Sequence, residues 1–362
     1  MFDLAIIGAG IVGAAAAYLA KRERPEWHVL LLDRSLVGGG ATAHSAGLDF
    51  PYGRTPGQKH LSVQSARLYE QLRRDIPSLP IRRLPFLGIV SKKNAQQVAE
   101  RFIEPVRFAS DQERADIARS EPGVRVARDQ ELLVGCFGAI GYAQATASLL
   151  VSQFRHLPQA QCWEGVAISD ICSVGDGHEL KALDGRSIHA RRVLIATGPW
   201  LLNGPGSALS KAMNVRTKKV AALHVLQAPL LNSPIIYFFD EDAFLLPSCE
   251  RGEWIFSFTS SEWNCLPHLS DLYIRPDERR AALAILERYC PPLVPYCNAG
   301  RVFCDAYSSD WAPLITSHPG AENFVIAGAC SGAGFRLVPA IAATALQLFP
   351  DFGACSVEAR IA

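Results

Sequence analysis

An α/β fold is predicted by this 362-residue chain, with a Rossmann-like parallel sheet assembled from discontinuous segments and a second domain on an antiparallel sheet. Three observations predict it. Apolar strand-like runs meet glycine turns at the start, middle and end: Ile6-Ile7 before Gly8, Ile195-Ala196 before Gly198, and Ile326-Ala327 before Gly328. The first junction carries a G-x-G-x-x-G turn between a strand and a helix. Between the later junctions lie β-branched and aromatic runs separated by turn residues, which read as an antiparallel meander.

The first strand, Phe2–Ile7, enters Gly8-Ala9-Gly10-Ile11-Val12-Gly13, and an alanine-rich helix follows. A second strand, Val29–Leu32, ends in Asp33. A dinucleotide site uses this order. Gly8 permits the tight turn, Gly10 lets backbone approach a pyrophosphate, and Gly13 lets the helix pack against the strand. The helix N-terminus offers N–H groups and a positive dipole end to phosphates. Asp33 is spaced to accept from ribose hydroxyls. After Arg34, Gly38-Gly39-Gly40 either presses backbone against a ligand or forms a flexible loop, and the residues leave both open.

Residues 58–74 read as an amphipathic helix, 94–107 as a charged helical stretch and 145–155 as a helix. Residues 162–173 read as a strand containing Val166 and Ile168, followed by a hairpin at Asp184-Gly185. The meander takes in 220–226, 235–239, 243–246 and 254–259, and a helix covers Pro276–Tyr289. The last strand, 323–328, leads to a helix expected from Pro339. These elements predict a nucleotide domain from 1–80, 142–210 and 300–362, and a substrate domain from 81–141 and 211–299.

Composition narrows the function. Hydrophobic residues make up 49% and charged residues 20%, and the net charge is +1. That balance gives no electrostatic footprint for nucleic acid or an anionic membrane, so neither is expected as a partner. No apolar run reaches membrane-spanning length, and no cationic segment or cleavage site precedes Phe2, which predicts a cytoplasmic protein. The ten cysteines form no C-x-x-C pair and show no zinc spacing, so no metal is expected and the thiols read as reduced.

The residues also resemble a known family. Gly40-Ala41-Thr42-Ala43-His44-Ser45-Ala46-Gly47, Ala196-Thr197-Gly198-Pro199-Trp200, Phe244-Leu245-Leu246-Pro247 and Ser308-Ser309-Asp310 with Pro313-Leu314-Ile315 match its segments. Gly328-Ala329-Cys330-Ser331-Gly332-Ala333-Gly334-Phe335-Arg336 closely follows its G-x-x-S-G-x-G-F signature. Over nearly its whole length the chain resembles the superfamily of D-amino acid, glycine and sarcosine oxidases, which are FAD-dependent amine oxidoreductases. The resemblance implies FAD. It implies that Gly8, Gly10, Ile11, Val12, Gly13, Asp33, Arg34, Gly40, Ala41, Thr42, His44, Ser45, Ala46 and Gly47 bind it, with Val166 offering backbone to the adenine. Ala196, Thr197, Gly198, Trp200, Gly332, Gly334, Phe335 and Arg336 complete the implied contacts.

The implied reaction is oxidation of an amino acid or N-substituted glycine. Hydride passes from the amine α-carbon to flavin N5, water hydrolyses the imine, and O2 reoxidises the flavin to give H2O2. Such a site needs a carboxylate anchor and positive charge near the ring rather than a catalytic triad. Arg336 is the expected anchor, with Arg54 as a second candidate. His44 is bonded covalently to the flavin, touches its ring, or merely packs. Cys304 lies near the family's flavin-bonding cysteine and reads as a buried thiol, and Lys218 or Lys219 stands as an oxygen-activating cation. The family's Arg-Pro is replaced by Asp305-Ala306-Tyr307, and its Gly-Gln after Lys219 by Val220-Ala221. Tyr237, Phe238, Phe239, Trp254 and Trp263 line a pocket or form core. Two alternatives stand beside the oxidase. One is an FAD-dependent 2-hydroxy acid or amine dehydrogenase using a quinone or protein acceptor. The other is a flavin module acting on a macromolecule such as tRNA, against which the charge argues. The expected partners are a small amine or amino acid and O2, with a homo-oligomer left open.

Overall fold

The computed structural model describes residues 1–268 and 272–353. Cys355 and the end of the expected 300–362 segment lie outside the described residues. Strand β1 (Phe2–Ile7) turns through the glycines into helix α1 (Ile11–Glu23), followed by β2 (Val29–Leu32). α1 is buried from Ile11 to Lys21, which is why its sequence is alanine-rich on every side. Helix α2 (Ala41–His44) and strand β3 (Leu48–Asp49) lead to α3 (Pro56–Asp75). The Thr55 side chain caps α3 by accepting from Gln58 N.

Next come β4 (Ile81–Ser91), α4 (Lys92–Glu100), β5 (Arg107–Phe108), α5 (Asp111–Arg119), β6 (Gln130–Val134) and β7 (Phe137–Gly141). Then follow α6 (Ala143–Arg155), β8 (Ala160–Trp163), β9 (Ile168–Val174), β10 (Gly177–Ala182) and β11 (Ser187–Ile195). The rest is α7 (Ser207–Ala212), β12 (Arg216–Val225), β13 (Ile235–Phe238), β14 (Ala243–Ser248), β15 (Glu253–Trp263), α8 (Pro276–Tyr289), β16 (Cys297–Tyr307), β17 (Leu314–His318), β18 (Ala321–Gly328) and α9 (Gly334–Gln347).

One sheet has a parallel centre in the order β18–β11–β1–β2–β8, with β17 and the β9–β10 hairpin attached antiparallel. The strand order reverses at β1, so Gly8 stands at a switch point. The carboxyl ends of β1, β2, β11 and β18 open on one edge because these strands run parallel. Residues of α1, α3, α6 and α9 cover one face. The second sheet runs β16–β12–β15–β14–β13–β4–β6–β5, with β7 joining β3 to β4. Ala282, Leu286 and Tyr289 of α8 pack on one face of it. Among the described residues no helix is long and apolar enough to cross a membrane.

Several expectations change, each for a local reason. The stretch 94–107 is helical only to Glu100, because Phe102 pairs with Tyr52 and Pro105 follows. The strand expected over 162–173 is broken after Trp163, where Gly165 takes a φ of 75°. Val166 therefore lies in a connection, with its N–H donated to Asp33 O at 2.8 Å. The last helix starts at Gly334 rather than Pro339. Pro339 lacks the N–H that would bond the Phe335 carbonyl, and the Tyr69 hydroxyl donates to that carbonyl instead. The meander is reordered, since β12 pairs with β15 and β16, while β13 runs parallel to β4. The expected boundary at 300 consequently falls inside β16, and β3, within 1–80, pairs into the larger sheet.

Candidate active site

A cavity of about 810 Å³ lies between the carboxyl edge of the parallel sheet and the larger sheet. Its nucleotide-like end is built by the first glycine turn. Gly8 has a φ of 103°, and a Cβ there would sit 2.4 Å from Ala196 O. A Cβ on Gly13 would sit 1.8 Å from Gly8 O, so only glycine lets α1 approach the turn. Of the residues nominated to bind FAD, Gly13 alone does not line the cavity; its part is this contact. Ile11 N donates to Thr42 Oγ1 at 3.0 Å, tying the start of α1 to α2. Asp33 braces the turn as well as facing the cavity. Its Oδ2 accepts from Ala9 N at 2.7 Å and its Oδ1 from Ser35 N at 2.8 Å, with lone pairs left over.

The glycine run 38–40 is pressed against structure. A Cβ on Gly40 would lie 3.0 Å from the Trp200 ring. The Arg34 guanidinium stacks on that ring at 4.2 Å, and the buried Trp200 Nε1 has no hydrogen-bond partner among the described residues. Gly10, Val12, Ala41, Ser45, Ala46, Gly47, Val166, Ala196, Thr197 and Gly198 line the same cavity. Since the Val166 N–H is already donated, its carbonyl is what it has to offer.

The other end holds the charged groups. Gly332, Gly334, Phe335 and Arg336 wall it. Arg336 is 9% exposed and stacks on Phe50 at 4.7 Å. Its Nε is buried without a partner, and among the described residues no hydrogen bond or ion pair reaches its guanidinium. Burial lowers its pKa, against the pull of Asp49. Arg54 is differently placed. Its guanidinium pairs with Asp242 at 2.7 Å, and Asp242 also accepts from Tyr237 at 2.7 Å and Thr259 at 3.2 Å. Arg54 further stacks on Trp311 at 4.9 Å.

The two lysines separate. Lys219 is paired to Glu262 at 2.6 Å and Glu278 at 2.9 Å. Lys218 is buried with its ammonium over Trp263 and Tyr307 and, among the described residues, without hydrogen bond or ion pair. Burial lowers its pKa. His44 lines the cavity, stacks on Phe303 at 6.0 Å, and is held below its ordinary pKa by burial and by Arg301. Of the aromatics, Tyr237 and its neighbour Phe244 reach the cavity, whereas Phe238 and Trp254 are core.

Sequence reasoning missed Arg301, Phe303 and Trp311, and it did not place Asp305 or Tyr307 in the site, yet all line the cavity. Arg301, Phe303, Asp305 and Tyr307 recur at every second residue of β16, the period that puts side chains on one sheet face, and this was the signal available. Asp305 is half-buried, and desolvation pushes its pKa up to about 6 against hydrogen bonds from Ala306 and Gly332 backbone. Asp242 and Trp311, at turns with left-handed φ of 47° and 66°, carried no periodic signal.

Three comparisons bear on this arrangement. The family model described as FAD dependent oxidoreductase matches residues 3–348. No curated protein matches the sequence. Among solved structures, the chain is similar to glycine oxidase from Geobacillus kaustophilus, at 20% identity and TM-score 0.78 over 96% of this chain and 94% of that one. It is similar to L-proline dehydrogenase from P. horikoshii, at 17% identity and TM-score 0.81 over 96% and 93%. It is also similar to L-alpha-glycerophosphate oxidase from Mycoplasma pneumoniae with FAD bound, at 15% identity and TM-score 0.78 over 96% and 94%.

Proposed function

Because the chain belongs to the FAD-dependent oxidoreductases and takes FAD as its cofactor, we propose that it oxidises an amino acid or N-substituted glycine and passes the electrons to O2. The observation that carries this reading is Arg336: a buried guanidinium on the cavity that, among the described residues, no hydrogen bond or ion pair reaches. A substrate carboxylate supplies the missing partner through paired, charge-assisted hydrogen bonds.

The residues present fit FAD. The glycine turn has no room for a Cβ at Gly8, and the unpartnered Trp200 Nε1 is a donor in want of an acceptor. Gly8, Gly10 and the start of α1 would hold the pyrophosphate, Asp33 and Arg34 the adenosine, and Ala196–Trp200 with Gly332–Phe335 the remainder. FAD, when bound, supplies the two-electron acceptor for the amine Cα–H bond.

The chain positions the reactants. Arg336 fixes the carboxylate and so the α-carbon. Asp242 holds Arg54 in place, and Arg54 adds positive potential without being the primary anchor. Lys218, desolvated and among the described residues without hydrogen bond or ion pair, would offer a cation to negative charge developing during reduction of O2. His44, neutral and stacked on Phe303, acts as a ring neighbour rather than a covalent attachment point. Acid precipitation of the yellow protein is therefore expected to leave the colour in the supernatant, and colour retained in the pellet would establish a bond. We place the enzyme in the cytoplasm, where its free thiols stay reduced.

Oxygen uptake tests the proposal. Glycine, N-methylglycine, longer N-alkylglycines, D- and L-amino acids and 2-hydroxy acids are offered to the holoenzyme in turn. Uptake with matching peroxide is expected from an amine that carries a carboxylate. Turnover that needs an added quinone, or that uses only hydroxy acids, would replace the oxidase reading with the dehydrogenase one.

A further inference from the structure

Two cysteine sulfurs meet beside the cavity. The Sγ atoms of Cys265 and Cys304 are 3.3 Å apart and share a hydrogen bond. Cys304 sits on β16 opposite Lys219 of β12, and Cys265 lies in the turn leaving β15. That turn is fixed to β12. Asn264 N donates to Thr217 O at 2.7 Å, and Thr217 Oγ1 donates to Cys265 O at 2.7 Å. The sulfurs are thus brought together by two strands and a stitched turn, not by chance contact of mobile side chains. Cys304 is buried and Cys265 is half-buried. Among the described residues no other two cysteines share such a contact.

We propose that Cys265 and Cys304 are a modification site: a reversible disulfide formed by peroxide at the cavity wall. The chemistry balances. The Cys265 thiolate attacks one peroxide oxygen, the O–O bond breaks, and water leaves after protonation, giving a sulfenic acid. The Cys304 sulfur then attacks the Cys265 sulfur, the S–O bond breaks, and a second water leaves. Two thiols are oxidised, one peroxide is reduced to two waters, and the thiol protons end in those waters. The order follows from the shared hydrogen bond, which stabilises the thiolate on Cys265 and raises the pKa of Cys304.

Cys304 belongs to the strand that walls the cavity and Cys265 is half-buried beside it, so the pair lies next to the cavity; a peroxide source inside the enzyme rests on the oxidase reading. The bond has a consequence for the site. Pro267 and His268 follow Cys265 closely and line the cavity, while β16 presents Phe303, Asp305 and Tyr307 to it. A disulfide ties these two walls together.

The experiment treats reduced holoenzyme with one equivalent of H2O2, alkylates the remaining thiols and maps the unreduced digest by mass spectrometry. A peptide joining Cys265 to Cys304 is expected, with a mass loss of about 2 Da that dithiothreitol reverses. Cys265→Ser and Cys304→Ser should each abolish the link while FAD stays bound, and Cys249→Ser should leave it intact. A link between other cysteines, or irreversible sulfinic acid on Cys265 with Cys304 still free to alkylate, would overturn the proposal. Added peroxide forms the link whether or not the enzyme makes its own, so failure here is separable from failure of the oxidase reading.

Discussion

Replacing Arg336 with leucine is expected to lower kcat/KM for the amine substrate by roughly 30- to 1000-fold while FAD remains bound and thermal stability holds or rises. The two effects have opposite signs for one physical reason. Desolvation of the buried guanidinium outweighs the pull of Asp49, so losing the charge does not destabilise the fold. The same charge gains a carboxylate when substrate enters, and losing a buried charged hydrogen-bonded pair costs about 2–4 kcal/mol of binding. An Arg336 held in a structural ion pair would behave in the reverse way, with stability falling and substrate capture little changed. Asp49 gives a second readout. Its carboxyl is pushed up to about 6 by burial, and Arg336 pulls it down from still higher. Removing Arg336 should therefore shift Asp49 titration to higher pH, and NMR of its carboxyl carbon would follow it.

Gly13→Ala is expected to abolish the yellow holoenzyme and to lower the unfolding midpoint severely. The new Cβ would sit 1.8 Å from Gly8 O, and backbone cannot yield as a side chain can. Ordinary overpacking costs about 1–3 kcal/mol, and a backbone-on-backbone clash lies at or above the upper end. The damage falls on the turn that carries Gly8 and on α1 together. Gly10→Ala is the control. Its nearest obstacle is Thr42 Oγ1 at 3.2 Å, so the chain should fold with a near-normal midpoint and bind FAD more weakly. Differential scanning calorimetry and FAD content per chain separate the two. Equal, mild effects from both substitutions would remove the packing role given to Gly13.

The sequence-level reading was strongest where one short segment sets its own geometry. The strand, glycine turn and helix from Phe2 onward are local, and the turn residues are spaced by what a pyrophosphate and a packed helix demand. The place of Arg336 on the cavity wall was legible for the same reason, since it follows the Ser331-Gly332-Ala333-Gly334-Phe335 turn directly. Strand pairing was not. β12 passes over its sequence neighbour to pair with β15 and β16, because tertiary packing of both faces, not turn chemistry, selects its partners. Pro339 misled because its missing hydrogen bond is made good by Tyr69, a residue far away in sequence. The contrast between Lys218 and Lys219 was equally hidden. Adjacent strand residues face opposite sides, and only the fold shows that Lys219 meets Glu262 and Glu278 while the Lys218 ammonium lies over Trp263 and Tyr307.

Anaerobic reduction of the bound flavin is the measurement to make first. Holoenzyme is mixed without O2 with a carboxylate-bearing amine and with the matching amine that lacks the carboxylate, and the flavin absorbance band is followed. Bleaching by the former alone, and its loss in Arg336→Leu, is the predicted result. Equal bleaching by both amines would show that no carboxylate is recognised and would remove Arg336 as the anchor.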